Sequence, residues 1–306
     1  MAEVFGALLP TFILIALGYT VRATRIATAE QFGMVNRFGY FVLYPAFLFT
    51  LISGANFHGA DAGPFLIGLL GGFLILAGLA LGLRALFKGG DDAAYTSIFQ
   101  GSVRWNGFAL LAAATSLYGP RGQELIGLAF GPLVLTINVI CVIVLTRWGA
   151  ARATSMRAIV DQILANPLIL ACAAGLAANF AGLHDLGAIS DALRLLGGAA
   201  MPIALLCVGA GLDFAALRGA GAQVATAAGM RLVVAPMLIF ATCTLLGVSP
   251  LATAVAVGIA STPTAAAAYT FAREMGGDAR LMAAIITATT IFSFLTMPVA
   301  ITLALR

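Results

Sequence analysis

The sequence predicts an all-α polytopic membrane protein, ten transmembrane helices in two inverted five-helix repeats. Three observations carry that expectation. The chain of 306 residues is 61% apolar and only 9% charged, its basic residues cluster in alternate links, and it matches itself at a constant shift of 157 residues. Soluble domains average about 45–50% apolar and about 25% charged, and the mean hydropathy of +1.05 lies far from theirs. A helix rises about 1.5 Å per residue, so about 20 apolar residues cross a hydrocarbon core about 30 Å thick. The Leu, Ala, Ile, Val and Phe runs have that length and lack the alternation of barrel strands.

In chain order, the first span covers residues 3 to 22 around Pro10. It has no positive leader region and no small-residue cleavage site, so it is read as retained. The second covers 36 to 55 around Pro45, and the third 64 to 84. The fourth, 93 to 118, is interrupted by Arg104 and Asn106 in "QGSVRWNGFALL". The fifth, 123 to 146, carries Asn138. After a basic link come the sixth, 163 to 181, the seventh, 193 to 212, and the eighth, 222 to 246, with Arg231. The ninth, 250 to 273, contains Pro263, and the tenth, 279 to 304, a row of hydroxyls.

Eleven basic residues (Arg22, Arg25, Arg37, Arg84, Lys88, Arg147, Arg152, Arg157, Arg218, Arg273 and Arg280) follow odd-numbered spans, against Arg121, Arg194 and Arg306 on the other side. The positive-inside rule then places the odd links in the cytoplasm and both termini on the extracytoplasmic side. The net charge of +4 is thus a topology signal rather than the mark of a nucleic-acid partner. No organelle-targeting segment is visible, and a plasma (inner) membrane location is expected.

At the 157-residue shift Pro10 meets Pro167, Arg37 meets Arg194, Pro45 meets Pro202 and Phe57 meets Phe214. Gly18, Gly54, Gly101 and Gly119 meet Gly175, Gly211, Gly258 and Gly276. The repeats fall at 1–149 and 158–306, joined by a cytoplasmic linker at 150–157. Five spans per repeat is an odd number, so the second must be inverted. Secondary transporters use such repeats and bind substrate near the midplane, often at broken helices. The same shift sets Asn106 opposite Pro263, both at mid-span.

Pro263 lacks an amide hydrogen and clashes with the preceding turn, so the ninth helix kinks or breaks, freeing backbone groups. Ser261, Thr262 and Thr264 around it either line a ligand site or heal the kink. Arg104 costs about 2.5–3.5 kcal/mol to place mid-membrane and requires a partner. That partner is either a substrate carboxylate, gripped by the guanidinium fork, or the carbonyls of a broken neighbouring helix. Asn106 either holds substrate or caps a break. Ser102, Asn138, Ser261, Thr290 and Ser293 form a weaker lining set. For Asn138 and the hydroxyl row Thr287, Thr289, Thr290, Ser293 and Thr296, packing between helices competes with function. Arg231 either snorkels to the cytoplasm or serves the interior.

Other chemistries lack their residues. His58 and His184 fall in external links, which leaves no buried Ser-His dyad for an intramembrane enzyme. No mid-span Asp or Glu offers a proton relay: Asp92, Glu274 and Asp278 sit near span ends. Gly89 and Gly90 precede two aspartates without the Lys-Ser/Thr of a phosphate loop. Cys141, Cys172, Cys207 and Cys243 lie in apolar runs without metal-ligand spacing. No cofactor or metal is expected.

The segments "RWNGFALLAA", "ANPLILACAAGL", "LGGAAMPIALLCVGAGLDF", "RLVVAPM" and "STPTAAAAYTFAREMGGDARLMAAIITATTIFSFLTMP" resemble the auxin efflux carrier family, relatives of plant PIN carriers and of the bile acid sodium symporters. The resemblance covers essentially the whole chain. It implies that helices four and nine are broken and cross beside the substrate, with the first, second, sixth and seventh as a scaffold, and it implies a homodimer through that scaffold. Carried over by position, Asn106 binds the substrate carboxylate and Thr262, Pro263 and Thr264 line the second crossover. Two features depart from relatives. Asn106 and Gly107 stand where PIN carriers have a proline, and "ASTPTA" lacks the glutamate of the symporters' sodium motif.

The expected activity is therefore secondary or potential-driven transport of small organic anions across the bilayer, not an enzymatic reaction. Uptake of an anion against an inside-negative potential needs a co-transported cation, whereas export does not. The rivals are a sodium-coupled symporter of larger amphipathic acids and an anion-binding receptor or channel without turnover.

Overall fold

The computed structural model describes residues 1–55, 62–85, 91–150, 161, 164–183, 185–218 and 221–306. Residues 151–157 of the expected linker lie outside the described residues, as do Arg152 and Arg157 within it. So do Phe57, His58, Lys88, Gly89, Gly90 and His184. The described residues form helices and no strands. Seven of these helices are long and apolar enough to cross a membrane, and two shorter apolar ones, Pro167–Phe180 and Pro250–Ser261, accompany them.

Helix α1 (Ala2–Ala23) runs through Pro10. Helix α2 (Ala29–Phe38) starts from a reciprocal cap in which Thr28 Oγ1 accepts from the Gln31 amide and Gln31 Oε1 accepts from the Thr28 amide. It continues through a π turn, Gly39–Leu43, into α3 (Tyr44–Ser53). After α4 (Ala62–Gly82) come α5 (Asp92–Val103), the short α6 (Gly107–Leu111) and α7 (Ala114–Trp148), which kinks at Gly119 with φ of +68°. The second half holds α8 (Pro167–Phe180), α9 (Ala188–Ala210) and α10 (Gly221–Gly229). A π turn, Met230–Val234, leads from α10 into α11 (Ala235–Leu245). Helices α12 (Pro250–Ser261), α13 (Ala267–Met275) and α14 (Ala279–Ala304) complete the chain.

Both π turns have the same cause. A proline follows each, Pro45 and Pro236, at the second residue of the next helix. Its ring excludes the normal i to i−4 bond, and the chain widens by one residue so that Tyr44 N–H reaches Gly39 O and Ala235 N–H reaches Met230 O. The wide turns carry Tyr40 and Arg231.

Packing is dominated by helix pairs distant in sequence. Helix α1 runs along α9, α3 along α8 and α4 along α11, while α5 meets α14 and α12 meets α7. The α1–α9 approach needs glycine. A Cβ on Gly18 would meet the Leu206 carbonyl, and one on Gly209 the Ile15 carbonyl. Small residues permit such close backbone contact where lipid supplies no hydrophobic drive between helices. Helices α5 and α12 form the centre of the molecule, buried continuously over Ala94–Val103 and Ala252–Ser261.

Candidate functional site

The two central helices both stop at mid-span. Helix α5 ends at Val103, and Arg104 takes an extended backbone, φ −75° and ψ 131°. Helix α12 ends at Ser261, and Thr262 is likewise extended, φ −64° and ψ 153°. The non-helical segments Arg104–Asn106 and Thr262–Ala266 cross and bond to each other. Asn106 N–H donates to Pro263 O at 3.0 Å and to Thr262 Oγ1 at 3.2 Å. Thr264 Oγ1 donates to Gly101 O at 2.8 Å, occupying a carbonyl that a continuous α5 would keep for itself. Thr264 N–H in turn donates to Thr289 Oγ1 on α14.

The break in α12 follows from Pro263, which cannot supply the amide that Ile259 O expects. The break in α5 has no proline. It persists because its freed groups have partners across the crossing, and because Gly107 leaves room for the Phe130 ring, which any Cβ there would strike.

Beside the crossing lies a cavity of about 110 Å³. Arg104, Trp105, Asn106 and Gly107 line it from the first break, and Ala265, Ala266, Ala267 and Thr270 from the second. Asn138 of α7, Phe130, and the face Asn36, Tyr40 and Tyr44 close it. Arg104 is 4% exposed. Its Nε donates to Gln100 Oε1 at 3.0 Å and its Nη1 to Asn138 Oδ1 at 2.8 Å, while the guanidinium carbon lies 4.0 Å from the Phe271 ring centroid. Its Nη2 and the Asn106 Nδ2 have no protein partner among the described residues. No Asp or Glu lines the cavity, and none appears among the buried residues described. The result is a chamber in which Arg104 is the one charged lining residue among those described.

Of the two readings left open for Arg231, the structure favours the interior one. It is fully buried and turns inward from the π turn onto the end of α12. Nε donates to Thr262 O at 2.9 Å, and Nη2 donates to Ala260 O at 2.9 Å, to Ile259 O at 3.1 Å and to Thr262 Oγ1 at 3.3 Å. The pairing with carbonyls of a broken helix, weighed above for Arg104, belongs to Arg231. Arg104 is held by side-chain amides instead.

The geometry divides the remaining candidates. Arg104, Asn106 and Asn138 meet at the cavity, whereas Thr262, Pro263 and Thr264 build the crossing without lining it. Ser102, Ser261 and Ser293 donate to carbonyls of their own helices, Ile98 O, Gly258 O and Thr290 O, and Thr290 Oγ1 is buried without a partner among the described residues. Thr287 and Thr289 join elements, accepting from Asp213 N–H and Thr264 N–H. Sequence reasoning missed Asn36, Tyr40, Tyr44, Trp105 and Thr270. The first three stand four residues apart, and that polar stripe in an apolar span was the available signal.

The sequence model of the family described as "Membrane transport protein" matches residues 3–301. The chain belongs to that family. This is the auxin efflux carrier family to which the quoted segments pointed, and the chain is a transporter-family protein with membrane-spanning helices. It is 26% identical over 311 residues to a protein of Rhizobium meliloti (strain 1021) named "Putative malonate transporter", covering 97% of this chain and 94% of that one. It is 25% identical over 295 residues, 95% of each chain, to an "Uncharacterized transporter" of Methanothermobacter thermautotrophicus.

Proposed function

We propose that this membrane transport protein carries short-chain carboxylates by alternating access, with Arg104 and Asn106 as the carboxylate-binding pair. One observation carries the reading: a buried guanidinium and a buried amide, each with an unsatisfied donor, border one cavity beside two helix breaks, with no acid among its lining residues. The carboxylate supplies the missing acceptors, and Asn138 holds the guanidinium plane that receives it. The cavity is far below the roughly 300–1,000 Å³ of drug-sized pockets, which favours an acid of a few carbons over a large amphipathic one. The malonate named for the R. meliloti relative is a suitable first probe.

Helix pairing supports two inverted repeats of five helices with the fourth and ninth crossing. An exchange of halves that maps α1 to α8, α3 to α9, α4 to α11, α5 to α12 and α7 to α14 converts the contact of α1 with α9 into that of α8 with α3. It also converts α5 against α14 into α12 against α7. With odd links cytoplasmic and both termini outside, Asn36 and Thr270 lie toward the inner face, and the cavity is the inward-open chamber. The protein sits in the plasma membrane as a homodimer through the scaffold helices α1, α3, α8 and α9.

Counterflow of radiolabelled malonate, succinate and acetate in proteoliposomes tests the function. Saturable exchange of a short carboxylate is expected, and a non-saturable leak or no exchange of any acid would remove the proposal in favour of a channel or receptor.

A further inference from the structure

We propose that the Arg231 guanidinium is a built-in cation, occupying the place at the end of α12 that a coupling ion takes in cation-driven carriers, so that the crossover works without a bound metal ion. Broken helices in transporters present unwound carbonyls and a C-terminal half-helix to sodium or protons. Here four such oxygens are already taken by Nε and Nη2, while Nη1 has no partner among the described residues. Ile259 O, Ala260 O, Thr262 O and Thr262 Oγ1 all lie within 3.3 Å of Arg231 nitrogens.

Two further observations separate this role from an ordinary structural arginine. Buried arginines are normally paired with a carboxylate, and no buried carboxylate exists among the described residues. What offsets the Arg231 charge is the negative end of α12, which carries roughly half an elementary charge. Second, Thr262 Oγ1 joins the two halves of the centre, because it accepts from both Arg231 Nη2 and the Asn106 amide. A substrate carboxylate beside Asn106 would otherwise face the C-terminal ends of α5 and α12. The fixed guanidinium cancels that repulsion permanently, and a mobile ion has to do so in each cycle. The charge is carried on the chain, so no metal ion accompanies the anion.

The inference rests on the transport reading only for its turnover arm; a binding arm stands apart from it. In the binding arm, thermal stability in detergent is measured with sodium, lithium, guanidinium or choline chloride at equal ionic strength. Wild type is expected to be indifferent to the cation. Arg231→Ala is expected to melt lower in choline and to be raised by guanidinium or sodium with the logarithmic concentration dependence of a bound ligand. In the turnover arm, Arg231→Ala is expected to lose counterflow at least about tenfold, the factor of 1.4 kcal/mol, and to regain it with the same cations. Arg231→Lys is expected to keep ion-independent turnover, and Arg231→Gln, a neutral donor, to lose it. Sodium-stimulated wild type would overturn the proposal, as would a folded Arg231→Ala that no cation stabilises or an Arg231→Gln equal to Arg231→Lys. If wild type exchanges no carboxylate, the transport reading fails while the melting series still decides the cation site. Should Arg231→Ala not fold, the Lys and Gln pair carries the test.

Discussion

Arg104→Met separates binding from stability. Methionine keeps the length and flexibility of the side chain and removes the charge. In the free protein two effects oppose. Burying a guanidinium costs about 2.5–3.5 kcal/mol, and the bonds to Gln100 and Asn138 and the Phe271 ring contact at 4.0 Å offset it. Removing the charge recovers that cost, while the orphaned Gln100 Oε1 and Asn138 Oδ1 cost about 1–3 kcal/mol each, so stability should stay within about 4 kcal/mol of wild type. Binding has no such cancellation. A hydrogen bond to a charged group contributes about 1.5–3 kcal/mol, so losing the one offered by Nη2 should weaken carboxylate affinity about 10- to 150-fold. The half-saturation concentration for malonate counterflow measures the first quantity, and melting of the purified protein the second. Arg104→Lys retains charge without the planar fork and should fall between the two. A stable Arg104→Met with unchanged half-saturation would refute the reasoning, since the cavity would then recognise its ligand elsewhere.

Other perturbations reach other links of the chain. Thr262→Val removes the oxygen shared by the Asn106 amide, Arg231 and Ile259 O; a loss of about 1–3 kcal/mol in stability is expected by thermal unfolding, and an unchanged melting temperature would mean the crossing does not depend on it. Gly209→Ala drives a methyl into the Ile15 carbonyl, and about 1–3 kcal/mol of overpacking should appear as a lower melting temperature. Asn138→Leu strips Arg104 Nη1 of its acceptor, which should cost about 1–3 kcal/mol in stability and raise the half-saturation concentration; equal kinetics would show that the guanidinium plane is set elsewhere. Without a coupling ion, an imposed potential of about 100 mV, inside negative, should shift the steady-state distribution of a monoanion about fifty-fold outward. A voltage-insensitive distribution in vesicles clamped with valinomycin and potassium would contradict this.

The crossing was legible because two rare residues mark it. Proline and asparagine at mid-span are costly enough to stand out, and a repeat shift fixed by other prolines set them opposite each other; the structure joins them by the Asn106 to Pro263 bond. The expectation for α5 was weaker, since nothing local in Asn-Gly demands a break. Its stabilising partner, Thr264, lies 163 residues from Gly101, and no local pattern reports a bond across that distance. Arg231 stayed undecided for a similar reason. Its distance from a span end permits snorkelling, and only the π turn forced by Pro236 and the arrival of α12 turn it inward. The polar face of Asn36, Tyr40 and Tyr44 hid in a span whose aromatic and aliphatic residues dominate its hydropathy.

The inward turn of Arg231 also bears on biogenesis. Synthesis proceeds from the N-terminus, so the segment bearing this arginine reaches the bilayer before residues 259–262 do. For that interval its charge has no carbonyls to hold it, and insertion of the segment carries a penalty of about 2.5–3.5 kcal/mol at mid-membrane. The very apolar stretch around it, Gly221–Leu245 with a hydropathy of 1.8, carries the insertion until α12 arrives. A chain truncated before Pro250 should therefore hold this segment loosely, and adding the 12 residues of α12 should lock it in place.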